Sequence, residues 1–304
     1  MNKNARSEKD LELPQMKQEH SRSWDHELKR IFPNFAQASL EDRPSRINGL
    51  SACCDNQSFV SSDDFQILLW NIENTKNAYK ILDIKPDNYE EVEELLTSIS
   101  YHPYHDHQMI ASSTNGYLRL CDLRTASSAN DTAMLITENP SGVFQYELQG
   151  LLASISSAAW LPDGRHILTR GFLNVKLWDI NMPNKPVDSF VVYSPIKSKL
   201  SELAMNDMIL ERFNVSPSPC GNYFTTGLFN NNCFVTNIKD KTSIKFDLNF
   251  SKKSICRPMV ESGIITEMPE AYNYNLKVEN CLWHPVKNSI ACTSMNSLFV
   301  YNGI

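Results

Sequence analysis

The segment "GRHILTRGFLNVKLWDINMPNKPV", residues 164–187, decides the fold class. Polar and apolar residues alternate over residues 165–169 and again over residues 174–178, which is the period of two expected of a β-strand. The pair Asp163-Gly164 comes just before it, and such a pair is typical of tight hairpin turns because glycine accepts a positive φ. The segment therefore predicts two successive strands of an antiparallel meander.

Four further segments have the same order of apolar strand, polar turn, small-residue strand, second turn and apolar strand. They span residues 51–73, 98–124, 213–239 and 279–303. Their spacing exceeds the roughly 40–45 residues of a minimal WD-repeat blade, so each blade carries an added loop or helix. Because one small meander cannot bury its own apolar face, the repeats are expected to stack. They predict an all-β fold, a β-propeller with about five recognisable blades.

Two segments depart from the repeat pattern. Residues 1–29 form a polar leader of mixed charge, which we expect to be disordered, and residues 30–304 form the propeller domain. In residues 83–99, Val92, Leu95, Leu96 and Ile99 recur at steps of three and four. This spacing predicts a short amphipathic helix near residues 88–97, with its glutamates towards solvent.

Composition limits the function. The chain has 304 residues with a net charge of -6, so no basic surface for nucleic acid is expected. Its eight cysteines include no Cys-x-x-Cys pair, which favours buried reduced thiols over zinc or disulfides, and we expect Cys121 and Cys233 in core strands. No signal peptide or long apolar run is present, so the cytosol, with access to the nucleus, is the expected location.

Several stretches carry a resemblance to a known family. They include "DIKPDNYEEVEELLTSISYHP", "SSTNGYLRLCDLRTAS", "KSKLSELAMNDMILERF" and "LWHPVKNSIACTSMNSLFVY", and they occur together with the opening segment. In this order and spacing they resemble the WD-repeat regulatory B subunit, of the 55 kDa type, of protein phosphatase 2A. The resemblance implies a non-catalytic subunit that holds phosphoprotein substrates beside a serine/threonine phosphatase, with no cofactor of its own.

The resemblance covers the chain from about residue 30 onwards. Family members carry about two further blades upstream, including a hairpin arm that grips the scaffold subunit, and here the polar leader takes that place. An N-terminally shortened, open arc of blades is therefore expected, which self-associates through its sheet edges. The implied partners are the catalytic subunit, the scaffold subunit and phosphoprotein substrates. Contact with the scaffold subunit is the least expected of these, because the blades that carry the hairpin arm are missing. No membrane or nucleic acid is an expected partner.

An acidic substrate groove is the functional site that the resemblance implies. From composition alone, the favoured interpretation is that Asp63 caps a turn and that the glutamates form a solvated helix face, and the resemblance reverses this preference. The family positions that line the groove match the second aspartate of a pair and the start of the predicted helix. Phe229 matches a family tyrosine near the groove, and Val92 stands where the family has leucine. The groove residues are Asp63, Asp64, Glu90, Glu91, Val92 and Phe229.

A cluster of histidines is the feature of the sequence that could indicate a metal site. The cluster His102, His105, Asp106 and His107 offers metal ligands, but consecutive loop residues rarely surround one ion, and a structural turn is favoured. No catalytic motif is present, so no catalytic and no metal-binding residues are expected. Two alternatives stay open: a generic WD-repeat scaffold, and a truncated decoy that binds substrates but cannot join the holoenzyme.

Overall fold

The fold is described from a computed structural model of the chain. The structure describes residues 46–74, 78–86, 88, 90, 92–124, 134–138, 147–192, 200, 203, 211–248, 257–259 and 276–302. The expected leader, residues 1–29, lies outside these ranges. No helix of the described part has the length and hydropathy needed to cross a membrane.

The first two sheets each have four antiparallel strands in chain order. The first contains β1 (Gly49–Ala52), β2 (Ser58–Ser62), β3 (Gln66–Asn71) and β4 (Ala78–Asp83). The second contains β5 (Leu96–Tyr101), β6 (Gln108–Ser113), β7 (Leu118–Asp122) and β8 (Met134–Ile136).

Three more sheets follow in chain order. After helix α1 (Glu147–Ala153), the third contains β9 (Ile155–Trp160), β10 (His166–Gly171), β11 (Asn174–Asp179) and β12 (Asp188–Val191). The fourth contains β13 (Val215–Pro217), β14 (Tyr223–Gly227), β15 (Asn232–Asn237), β16 (Ser243–Asp247) and β17 (Arg257–Met259). The fifth contains β18 (Asn280–Trp283), β19 (Ser289–Ser294) and β20 (Ser297–Asn302).

The arrangement is that of a partial WD-repeat β-propeller, as predicted. The first strands of successive sheets contact one another in the order β1, β5, β9, β13 and β18. Each predicted repeat supplies one sheet, and the predicted strands of the opening segment are β10 and β11. An open arc of blades that self-associates stays a prediction.

Both faces of a central sheet are buried, which explains the apolar composition of its strands. In β11, Val175 and Leu177 pack with Phe224 of the fourth sheet. The next residue, Trp178, points the other way and packs with Ile110 of the second sheet. Alternation along one strand therefore serves two separate apolar interfaces instead of dividing core from solvent.

The predicted hairpin turn lies between β9 and β10. Gly164 has a φ of 68°, in the left-handed region that glycine accepts readily. A Cβ atom at this position would also lie 2.9 Å from the His102 ring. Asp163 accepts hydrogen bonds from the backbone N–H groups of Arg165 and His166, both at 2.9 Å. The Asp-Gly pair is therefore required by both backbone conformation and packing.

The predicted helix near residues 88–97 is wrong over residues 92–97, whereas Glu90 has a 3₁₀-helical conformation. Residues 92–95 are irregular, and Leu96 already begins β5. A β-bulge between Leu96 and Ser98 shifts the strand register, so Leu96 and Ile99 are both buried. The bulge interrupts the period of two and leaves apolar residues at spacings that resemble those of a helix.

Candidate functional site

Most of the predicted groove residues lie in turns and connecting segments at one end of the sheets. The sheets are antiparallel, so the turn between the second and third strands of a sheet lies at the end where its first strand begins. We call this end the entry face. It contains the turns 63–66 and 228–231, and the segments 84–95, 211–214 and 276–279.

Asp63 shapes the turn between β2 and β3. Its Oδ1 accepts hydrogen bonds from the backbone N–H groups of Phe65 at 2.8 Å and Gln66 at 2.6 Å. Burial raises the pKa of this carboxyl group, against the opposing effect of these two hydrogen bonds. The structure thus gives Asp63 a turn-capping role, which is one of the two roles that the sequence left open.

Asp64 belongs to a hydrogen-bonded chain across the entry face. Its Oδ1 accepts from Nδ2 of Asn48 at 2.6 Å, and the same Nδ2 donates to the Leu96 carbonyl at 2.9 Å. Nη1 of Arg212 donates to Oδ1 of Asn48 at 2.6 Å. Burial lowers the pKa of Arg212, and the negative charge of Asp64 opposes that shift. The Asp64 carboxylate is therefore held in place and half-buried.

The aspartate turn also anchors the acidic segment that follows β4. The backbone N–H of Ile84 donates to the Phe65 carbonyl, and that of Leu96 donates to the Asp64 carbonyl, both at 2.9 Å. Both ends of the segment are thus fixed to one turn. The structure therefore brings Asp64 and the segment carrying Glu90 to the same end of the sheets.

The carboxylates of this segment differ in their exposure. Glu90 is exposed, Val92 is half-buried, and Glu91 lies outside the described residues. Glu93 is also exposed, although it is not among the groove residues that the resemblance implies. Glu94 instead forms an ion pair of 2.5 Å with Arg119, and its side chain is only 11% exposed. Among the described residues of the segment, Glu90 and Glu93 carry the accessible carboxylates, and we call them with Asp64 the acidic edge.

Phe229 occupies the core beneath the entry face rather than its surface. Its exposed fraction is 2%, and its ring packs edge-on against Phe213 at 5.0 Å and Phe172 at 6.3 Å. The following residues Asn230 and Asn231 have left-handed φ angles of 59° and 54°. These angles turn the chain sharply and direct the aromatic ring inwards. In this structure Phe229 supports the turn and offers no surface to a ligand.

A buried arginine supports the entry face from below. Arg170 is fully buried and donates from Nε to Thr226 Oγ1 at 3.0 Å and from Nη1 to the Phe172 carbonyl at 2.9 Å. Its guanidinium also lies 5.4 Å from the ring centroid of Phe213. Burial lowers the pKa of Arg170 to about 9. It therefore joins the third and fourth sheets and holds the turn after β10.

The histidine cluster has a structural role in the turn after β5. Nδ1 of His102 accepts from the backbone N–H groups of Tyr104 at 3.1 Å and His105 at 3.0 Å. Its Nε2 lies 2.8 Å from the Gly164 carbonyl, so both ring nitrogens are engaged. His284 uses Nδ1 in the same way, accepting from the N–H groups of Val286 and Lys287. The favoured turn interpretation therefore agrees with the geometry.

Comparison with known proteins gives relatives that are named as 55 kDa regulatory B-type subunits of serine/threonine protein phosphatase 2A. The chain is 33% identical over 275 residues to the beta isoform of Arabidopsis thaliana, covering 84% of this chain and 55% of that protein. It is 32% identical over 291 residues to a beta isoform of Oryza sativa subsp. indica, covering 89% and 55%. An alpha isoform of Oryza sativa subsp. japonica is 30% identical over 275 residues, covering 84% and 47%.

The matches cover most of this chain but only part of each relative. The chain spans about half the length of the curated relatives it matches. No protein-family model matches the sequence.

Proposed function

Because the chain is homologous to the 55 kDa regulatory B-type subunits of protein phosphatase 2A, we propose that it is a non-catalytic regulatory subunit of this phosphatase. Its proposed partners are the catalytic subunit, the scaffold subunit and phosphoprotein substrates. The proposed location is the cytosol, with access to the nucleus. Catalysis belongs to the partner, and this chain raises the local concentration of substrate near the separate active site.

The acidic edge is the proposed substrate-recruiting surface. Asp64 is anchored by Asn48, while Glu90 and Glu93 are exposed on a segment fixed at both ends. Carboxylates arranged in this way attract a substrate segment that carries lysine or arginine beside its phosphorylated residue. Asp63 supports the edge from within by capping the turn that carries Asp64. The single observation that carries the proposal is the attachment of the acidic segment to the Asp64 turn.

The exposed carboxylates of the acidic edge are expected to increase the rate of association with a basic substrate more than the lifetime of the complex. Exposed carboxylates act through a field that is screened by salt, with a Debye length of about 8 Å at physiological ionic strength. We therefore expect association with a basic substrate to slow as salt rises. Asp64 differs because it is half-buried and hydrogen-bonded, so its charge is held at a fixed position.

Charge reversal at matched positions tests the edge. Glu93→Lys is expected to weaken binding of a phosphopeptide with a basic flank at least about tenfold, which corresponds to about 1.4 kcal/mol. Glu73→Lys is the control, because Glu73 is also exposed but follows β3 at the opposite end of the sheets. Fluorescence anisotropy at low and physiological salt measures the affinity of each variant. Equal affinities for the two variants would contradict the proposed surface.

A further inference from the structure

Three buried cysteines meet between the fourth and fifth sheets. Cys233 lies in β15, Cys281 in β18 and Cys292 in β19, and each is at most 1% exposed. Sγ of Cys292 is 3.3 Å from Sγ of Cys281 and 3.7 Å from Sγ of Cys233. All three sulfur atoms lie within 4.8 Å of one another. We call this group the thiol cluster.

Strand register fixes the thiol cluster. Cys281 and Cys292 are direct cross-strand partners in β18 and β19, so their side chains leave the same face of the fifth sheet. Cys233 comes from the facing sheet, where it pairs with Gly227 and Phe246. The three sulfurs are therefore positioned by the backbones of three strands, and not by mobile loops.

The dimensions of the thiol cluster suit a metal ion at its centre. Three sulfurs bound at about 2.3 Å, the length of a zinc–sulfur bond, lie about 4 Å apart when the ion is in their plane. Two of the observed separations, 3.3 Å and 3.7 Å, are slightly shorter than that value, and the third is at most 4.8 Å. Movements of less than an ångström, within the range of side-chain rotation, would therefore seat an ion.

The ligand set indicates which ion fits. Among the described residues, the group contains thiols alone, with no imidazole and no carboxylate. Soft sulfur ligands select copper(I), zinc or iron–sulfur clusters, and structural zinc almost always takes four ligands. Three sulfurs in a closed apolar site therefore favour copper(I). We propose that Cys233, Cys281 and Cys292 bind one copper(I) ion in a three-sulfur site.

The surroundings of the cluster support this chemistry. Apolar side chains enclose it, namely Val235, Phe246, Leu248, Val278, Trp283 and Ile290. Such a shell excludes water, which limits oxidation of a bound ion and of the thiols. Thiolate is the binding form, so loading releases protons.

A bound ion would join two blades. The two sheets already meet closely, because a Cβ atom at Gly227 would lie 1.8 Å from the Val278 carbonyl oxygen. An ion shared by β15, β18 and β19 adds a crosslink to this contact. An ion that binds the folded chain and not the unfolded chain raises the free energy of unfolding. Loading is therefore expected to raise the thermal midpoint, and with it the protease resistance of β18–β20.

Titration of the reduced, metal-free full chain with copper(I) tests the proposal. The background variant has the exposed Cys54 and Cys220 replaced by serine, together with Cys256, which lies outside the described residues. A chromophoric copper(I) chelator competes for the ion under anaerobic conditions. Cys292→Ala in this background is expected to lower the affinity at least about tenfold. Cys121→Ala is the matched control, since Cys121 is buried in a different core cluster.

X-ray absorption of the loaded protein provides a measurement that does not depend on any variant's folding. One equivalent of copper with three sulfur neighbours, lost in Cys292→Ala and kept in Cys121→Ala, is the expected result. No stoichiometric uptake, or uptake that Cys292→Ala leaves unchanged, would overturn the site. Binding of zinc with no binding of copper(I) would overturn the assignment of the ion.

Discussion

Arg212 donates a hydrogen bond of 2.6 Å to Asn48, although 164 residues separate them in the chain. Arg212 precedes the fourth sheet and Asn48 precedes the first, so this contact connects two distant blades at the entry face. The same asparagine holds Asp64. The position of that carboxylate is therefore linked, through Asn48, to the contact between the two blades.

Replacement of Asn48 by alanine is expected to destabilise the chain and loosen the entry face. The change leaves Arg212, which is half-buried, without this acceptor, and removes the donor to Asp64 and to the Leu96 carbonyl. A buried polar group left unsatisfied costs about 1–3 kcal/mol. Urea unfolding followed by circular dichroism measures the loss. An unchanged unfolding free energy would show that the contact contributes nothing to stability.

The first and third sheets each contain a hydrogen bond from a buried tryptophan to a hydroxyl group, and the bond in the third sheet can be tested with a matched control. Trp178 Nε1 donates to Thr169 Oγ1 at 2.9 Å, and Trp70 Nε1 donates to Ser61 Oγ at the same distance. Thr169→Val keeps the shape but removes the acceptor, so a loss of about 1–3 kcal/mol in unfolding free energy is expected.

The control is Thr225→Val in the fourth sheet. Thr225 is equally buried, but its hydroxyl has no hydrogen-bond partner among the residues that the structure describes. Its removal is expected to leave stability unchanged or to increase it, because no buried polar group loses a partner. If both variants lose stability equally in thermal unfolding, the hydrogen bond of Trp178 is not the cause.

The ion pair between Arg165 and Asp179 predicts a specific acid sensitivity. Two hydrogen bonds, of 2.9 Å and 2.5 Å, join the guanidinium to the carboxylate, and they lower the pKa of Asp179 to about 2. An unfolded aspartate has a pKa of about 3.9. Because the folded pKa is the lower one, the stabilisation is present above about pH 4 and is lost as the pH falls towards 2.

Asp179→Asn checks this dependence. The variant is expected to be less stable than the original chain at pH 7, and the difference is expected to shrink steadily below about pH 4. Denaturant titrations at a series of pH values measure both curves. A difference that persists unchanged to pH 2 would mean that the carboxylate charge does not contribute to stability.

Local sequence patterns account for most of the fold but not for all of it. The third-strand positions Trp70 and Trp178 could be found because alternation and turn residues act over a few neighbours. The helix predicted around Val92 failed since a bulge at Leu96, which depends on pairing with β6, changes the apparent period. A single strand cannot reveal such a bulge before its partner is known.

The site was predictable to a similar degree. The resemblance led to Asp64 and Glu90, but the inward orientation of Phe229 depends on the left-handed turn at Asn230. The thiol cluster was missed, although a hairpin turn at residues 284–288 would have predicted that Cys281 and Cys292 face each other. The approach of Cys233 from another sheet was not accessible, because it depends on how the blades pack.

Thiol accessibility provides a check on the packing of the strands. Cys54 and Cys220 are exposed, whereas Cys121 and Cys233 are buried as the sequence predicted. A hydrogen bond from Ser218 lowers the pKa of Cys220, which increases its reactive thiolate fraction. Alkylation followed by mass spectrometry is expected to modify Cys220 first, and Cys121 and Cys233 only in denaturant. Rapid native labelling of Cys121 would contradict the packing of β7.

Assembly with the phosphatase core tests the central claim most directly. The purified chain is added to immobilised scaffold and catalytic subunits of protein phosphatase 2A, with the Arabidopsis relative as positive control. Saturable binding of the chain near one equivalent, together with co-purification of these subunits from cells, is the result expected of a regulatory subunit. Capture of phosphoprotein substrates without either phosphatase subunit would instead identify a decoy, and capture of unrelated assemblies a generic scaffold. Failure to bind the core under conditions in which the Arabidopsis relative binds would contradict the account.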